Sequence, residues 1–167
     1  AQFDALEEQL RILDPSNEWF TKGVNDATPK KRKVKLQYPM MSLNKIKTID
    51  SLLSWASNYQ DATFVITPKF DGLSVGIKGN ESWTRGDGTI GQDCTKHLMY
   101  TNRPKVTEDI VVRGEIIFTN KNWEKFKEAH IEAVSSRNSA TGLINGDFDA
   151  NRLSDYSLLT VMPYEIT

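Results

Sequence analysis

The chain holds a single cysteine, Cys94, among its 167 residues. One thiol excludes an intrachain disulfide and any multi-cysteine zinc or iron–sulfur site, and it suits a reducing compartment. The two histidines, His97 and His130, stand far apart in the sequence without metal-ligand company, so they read as structural or surface residues. No stretch approaches about 18 uninterrupted apolar residues, so no membrane-spanning segment is expected. The N-terminus lacks the basic-then-apolar pattern of a secretory signal. Neither sign of charge dominates: the net charge of −1 argues against a wholly electrostatic nucleic-acid binder while leaving room for a local basic patch. No internal repeat is present. What is there, 38% hydrophobic and 26% charged residues, suits one compact globular domain with at most a small attachment.

Phe3, Leu6, Leu10 and Leu13 recur at spacings of three and four, which predicts an amphipathic helix over 2–13, closed by Asp14 and Pro15. Residues 16–37 read as a connector. A second helix is expected after Thr48, its N-cap, with Ile49, Leu52, Leu53 and Ala56 as the apolar stripe. Strands are expected over 62–67, 73–78, 82–85, 109–118 and 158–166, and a helix over 120–134. In the strand 109–118, Ile110, Val112, Gly114, Ile116 and Phe118 share one face, and Val111, Arg113, Glu115 and Ile117 share the other. Helices and strands do not alternate regularly, which predicts an α+β fold with a largely antiparallel sheet.

Four clusters carry possible chemistry. Lys69 and Asp71 lie two apart in an extended segment and project to one side, between Pro68 and Gly72. A nucleophilic lysine must first lose its proton, which from an ordinary pKa of about 10.4 costs roughly 4 kcal/mol near neutrality. A surface turn with an ordinary ion pair accounts for the same string. Thr84–Gly91 holds three glycines and Arg85, a candidate for bidentate phosphate binding or simply a hairpin connection. Arg113 and Glu115 line one pocket wall or form a cross-strand salt bridge. Ser135–Gly142 reads as a small polar loop that touches phosphate, or as a loop alone.

Taken together, KFDG (Lys69–Gly72), TRGDGTIGQDCT (Thr84–Thr95), VRGEIIF (Val112–Phe118) and SRNSATG (Ser136–Gly142) resemble, in order, the motifs of the adenylation domain of NAD-dependent DNA ligases. YPMMSLNK (Tyr38–Lys45) resembles the segment leading into that domain. Ala1–Leu13 is similar to the end of the family's helical NMN-binding subdomain. The resemblance implies an ATP-grasp-like nucleotidyltransferase fold of antiparallel sheets with packed helices, with residues 1–37 as N-terminal remnant and connector and 38–167 as the adenylation portion.

It also implies roles. Lys69 would attack the α-phosphorus of NAD and carry AMP, with Asp71 and Gly72 shaping the pocket. Ser42 and Leu43 would lie beside the adenosine, and Arg85 near the ribose and phosphate. Glu115 would contact the ribose or help place Mg2+. Arg137 would lie near the phosphates or nicked double-stranded DNA, and Asp4 on the nicotinamide-nucleotide side. Thr67 occupies the adenine-recognising position where the family usually has a glutamate. Phe3 stands where a tyrosine is usual, and Asn145 where an arginine is common. The family's later motifs have no counterpart, so the expectation is a fragment, one part of a split ligase with a second chain, or a reduced relative. The source implied is bacterial or phage, with a cytoplasmic setting. Alternatives are an ATP-dependent nucleotidyltransferase and a noncatalytic nucleotide- or DNA-binding subunit.

Among smaller signals, Pro29–Val34 matches a nuclear localisation signal in form but reads as a solvated basic connector, with DNA phosphate contact as the alternative. Trp19, Trp55, Trp83 and Trp123 are expected in packed or partly buried positions, and Cys94 as a small packed residue.

Overall fold

A computed structural model describes residues 2–18, 20, 32–41 and 45–167, without the side chains of 2–5 and 7. Helix α1 (Gln2–Leu13) follows the expected apolar spacing, yet Leu6 and Leu13 remain exposed. Its Glu8 carboxylate accepts from Lys47 Nζ at 2.8 Å, which ties α1 to the approach of the next helix. Strand β1 (Lys33–Lys35) follows within the expected connector. Helix α2 (Ile49–Ala56) begins where Thr48 Oγ1 accepts from Ser51 N, as expected of that cap.

The main sheet has four antiparallel strands in the order β3-β2-β5-β6, formed by β2 (Leu73–Lys78), β3 (Glu81–Thr84), β5 (Val112–Phe118) and β6 (Leu159–Ile166). Strand β4 (Ile90–Gln92) pairs instead with β1. Alternation along β5 buries Val112, Gly114, Ile116 and Phe118 on one face, as the sequence predicts. That face joins Val75, Ile77, Leu159 and Val161 in the principal core. The short helix α3 (Thr95–Leu98) and helices α4 (Asn120–Ala129), α5 (Ser136–Asn145) and α6 (Leu153–Ser157) flank the sheet. From these, Leu98, Phe126, Leu143, Ile144 and Tyr156 complete the core. The opposite face carries Ser74, Gly76, Arg113 and Glu115. Part of it is covered by Leu36, Met40, Trp83 and Val111. Trp83 lies across Gly76, where an added Cβ would come within 2.4 Å of the indole Nε1.

Four expectations need correction. Residues 62–67 form no strand: the run is exposed, and no partner strand lies beside it among the described residues. The β-branched and aromatic residues of this run favour an extended backbone, but a strand needs a neighbour for its N–H and C=O groups. The polar run Ser136–Gly142 is helical rather than a loop, because Ser135 Oγ caps Asn138 N and Ala140, Leu143 and Ile144 supply a buried stripe. Helix α4 stops at Ala129, where His130 leaves helical geometry and turns its ring to Asp155 Oδ1 at 3.1 Å. Trp55 is exposed, with its ring against Tyr59 and Phe64 rather than in the core. Trp83 is buried, Trp123 packs against the core, and Cys94 is enclosed, as expected. Trp19 lies outside the described residues.

Candidate active site

Lys69 sits at the end of the unpaired run, immediately before β2. Its side chain is exposed and makes no hydrogen bond or ion pair among the described residues. The positions that follow it are fixed. Asp71 Oδ1 accepts from Arg137 Nη1 at 3.0 Å. Gly72 N donates to Glu115 Oε1 at 3.2 Å. A Cβ at Gly72 would come within 2.0 Å of Ile116 O, so only glycine lets the chain pass this close to β5. Lys69 therefore projects from a short arm whose base is pinned to the sheet.

Glu115 is the centre of the polar face. Its second oxygen accepts from Ser74 Oγ at 2.7 Å. Ser74 and Glu115 are direct cross-strand partners, so register alone brings them together. Tyr164 on β6 lies close to Ser74 and Glu115. Partial burial raises its phenol pKa; Ser74 opposes the shift and the nearby Glu115 carboxylate adds to it. Ser74 and Tyr164 were missed from the sequence. Ser74 had one legible signal, its same-face spacing with Gly72 and Gly76 along β2. Tyr164 had none, because its approach depends on how β6 lies on β5.

Arg113 shares this face but bonds elsewhere, donating to Glu165 Oε2 at 2.9 Å and Pro39 O at 3.1 Å. The cross-strand salt bridge is thus the reading that describes it.

The glycine-rich segment forms the β3–β4 connection. Gly86 and Gly88 take φ values of 55° and 100°, which glycine adopts without penalty. Asp87 Oδ1 accepts from Ile90 N, Thr89 N and Thr89 Oγ1. These bonds, led by the Ile90 amide, hold its carboxyl below the usual range. Asp87 is therefore a turn-builder. The same connection supports the next segment inward, since Gly88 O accepts from Met40 N at 2.8 Å and Thr89 O from Leu36 N at 2.8 Å. Arg85 is half-buried at the start of this turn, and its N–H donates to Ser74 O at 2.9 Å.

Hydrogen bonds thus join Asp71 to Arg137, Gly72 to Glu115 and Arg85 to the Ser74 backbone, while Lys69 precedes Asp71 by two residues. Thr67 is exposed on the unpaired run. Ser42 and Leu43 lie outside the described residues. Asp4 falls on α1, with its side chain outside them. No cluster of three His, Cys, Asp or Glu side chains suited to a metal occurs among the described residues. No described helix is long and apolar enough to cross a membrane.

This arrangement presents an amine on a pinned arm, one fixed carboxylate and a guanidinium near the amine's base. Such groups suit the positioning of a phosphorylated substrate. Residues 29–167 match the NAD-dependent DNA ligase adenylation domain family. The chain is 37% identical to a DNA ligase of Acanthamoeba polyphaga mimivirus, over 86% of this chain and 23% of the relative. It is 30% identical to a DNA ligase of Malacoplasma penetrans, over 95% and 25%. It is 32% identical to one of Mycoplasmopsis agalactiae, over 99% and 27%. The chain thus spans about a quarter of the length of these curated relatives.

Proposed function

The chain belongs to the NAD-dependent DNA ligase adenylation-domain family, and on that footing we propose that Lys69 is the nucleophile that takes AMP from NAD. The observation that carries this reading is the exposed Lys69 amine two residues from the Asp71–Arg137 pair and three from the Gly72–Glu115 anchor. Deprotonated Lys69 Nζ attacks the α-phosphorus. A P–N bond forms, the bridging P–O bond breaks, nicotinamide mononucleotide leaves with that oxygen, and the amine proton passes to solvent. In the remaining steps AMP moves to the 5′-phosphate of nicked DNA, and the 3′-hydroxyl then displaces it.

Glu115, held by Gly72 and Ser74, orients the ribose end. By the family resemblance, Arg85 would serve the phosphates, Arg137 the phosphates or the nicked DNA, and Ser42, Leu43 and Thr67 the adenosine. Asp4 belongs to the nicotinamide side. Alternatively, Glu115 would help place Mg2+, an ion that commonly needs only one or two protein carboxylates beside substrate phosphates and water. The same reading places the α+β sheet in an ATP-grasp-like nucleotidyltransferase fold and divides the chain into 1–37 and 38–167. It fits a cytoplasmic setting in a bacterial or phage-infected cell.

A second reading, in which the chain needs further polypeptide to act, is favoured by the exposed, unpaired run 62–67. Intact-mass spectrometry after incubation with NAD and Mg2+ tests both. The expected result is one added adenylyl group on Lys69, absent in Lys69→Arg and not obtained with ATP. Adenylation only after a second polypeptide is supplied supports the second reading. No adenylation under either condition overturns the nucleophile assignment.

A further inference from the structure

Within the basic run, Arg32 makes contacts that its charge alone does not suggest. Arg32 donates through Nε and Nη2 to Asp93 O at 3.3 and 3.0 Å. The same guanidinium donates to Ile144 O at 3.1 Å, Asn145 O at 3.2 Å and Gly146 O at 2.6 Å. The side chain is only 17% exposed, with the solvent-facing Asp147 carboxylate 3.7 Å away. Its own backbone is fixed too, because Arg32 O accepts from Asp93 N at 2.7 Å.

The three carbonyls lie at the C-terminal end of α5. A helix leaves its last carbonyls without internal partners and carries partial negative charge at that end. Gly146 here has φ −67°, so it does not supply the left-handed turn that often satisfies such groups. Side chains do so instead. Gln92 Nε2 donates to Asn145 O at 3.0 Å, and His97 Nε2 lies 3.1 Å from Gly146 O. Arg32 reaches all three carbonyls because its planar fork offers donors in several directions at once, which an ammonium on a flexible stem does not.

The other end of α5 faces the candidate active site. Arg137, in its first turn, holds Asp71, and Asp71 lies two residues from Lys69. A ten-residue helix is a stiff rod of about 15 Å, so a shift at one end is delivered to the other. Ala140, Leu143 and Ile144 fix which face of α5 meets the core. Their apolar contacts are non-directional and hold the position along the helix axis less strictly. The Arg32 fork supplies that axial stop.

We infer that Arg32 is a positioning residue for the Lys69 site: by gripping the C-terminal carbonyls of α5, it sets Arg137 on Asp71. Its activity readout rests on the nucleophile assignment above; its structural readout does not.

The test uses the full chain with Arg32→Lys and Arg32→Ala. Circular dichroism identifies temperatures at which each remains folded. There, Arg32→Ala is expected to slow Lys69 adenylation at saturating NAD by about 10- to 100-fold, with a smaller change in half-saturation. Arg32→Lys is expected to recover little of that rate, whereas millimolar guanidinium added to Arg32→Ala recovers much of it. The Asp71 amide and Arg137 Nε NMR signals are expected to move in both variants, without any need for adenylation. A folded Arg32→Lys protein with unmoved Asp71 and Arg137 signals overturns the inference, even if its melting point falls. Moved signals in a chain that gains AMP neither alone nor with a second polypeptide support the positioning and overturn only the nucleophile assignment.

Discussion

The sheet between Leu73 and Ile166 and the run between residues 45 and 71 have similarly apolar stretches and opposite fates. In the sheet, Val75, Ile77, Ile116 and Leu159 are entirely enclosed. In the run, Ile49, Leu53, Val65 and Ile66 are 75%, 62%, 82% and 97% exposed, and α2 buries no residue. The difference is partnership rather than composition. Residues 73–78 have strands on both sides, while 62–67 have none among the described residues. Lys69 lies at the junction, attached to the loosely held region and anchored through Gly72 to the tightly held one.

The largest effect should come from breaking that junction. Gly72→Ala places a methyl group against Ile116 O and Ile117 Cγ2, which forces β2 and β5 apart locally. A loss of about 3 kcal/mol or more is expected in urea denaturation. Next is Ile116→Ala in the packed region, with an expected loss of about 2–5 kcal/mol by the same measurement. The matching change in the other region, Leu53→Ala, is expected to stay within about 0.5 kcal/mol. A loss as large as that of Ile116→Ala would show that the run is packed in solution and erase the contrast.

Ile66→Ser is expected to leave the urea-denaturation stability unchanged within about 0.5 kcal/mol, since the side chain faces solvent.

The smallest effect concerns pH. Asp87 is held below its ordinary carboxylate value of about 3.9 by the Ile90 and Thr89 donors. A depressed pKa gives stabilisation that is full above the ordinary value and lost as pH falls through the lowered one. The Thr89 and Ile90 amide NMR signals should therefore titrate below the ordinary Asp range, and Asp87→Asn should remove that titration.

How much of this was legible follows the range of each interaction. The Thr48 cap, α1 and the faces of β5 depend on neighbours a few residues away, and their residues announce them. The motif order carried the family, and two of its motifs meet where Gly72 N donates to Glu115 Oε1. Helix α5 was misread because its opening residues are small and polar and its buried stripe begins only at Ala140; the Ser135 cap was the available signal. Strand pairing at 62–67 is not a local property, so the β-branched and aromatic residues there point to a strand that has no neighbour among the described residues. Contacts such as Arg137 with Asp71, Tyr164 with Ser74 and Arg32 with Ile144 join segments whose proximity only the folded topology decides.

Cys94 lies between β4 and α3 with 1% of its surface exposed, its amide donating to Ser82 O at 3.0 Å and its thiol pKa pushed far upward, chiefly by burial. Because it is the sole cysteine in the chain, any reagent that modifies a thiol reports on one place. The rate of that modification counts how often the edge of the sheet around β3 and α3 opens. An unaltered protein thus contains a single-site clock for excursions from the native state. Running it with and without NAD would show whether filling the site changes the motions of the sheet that supports it.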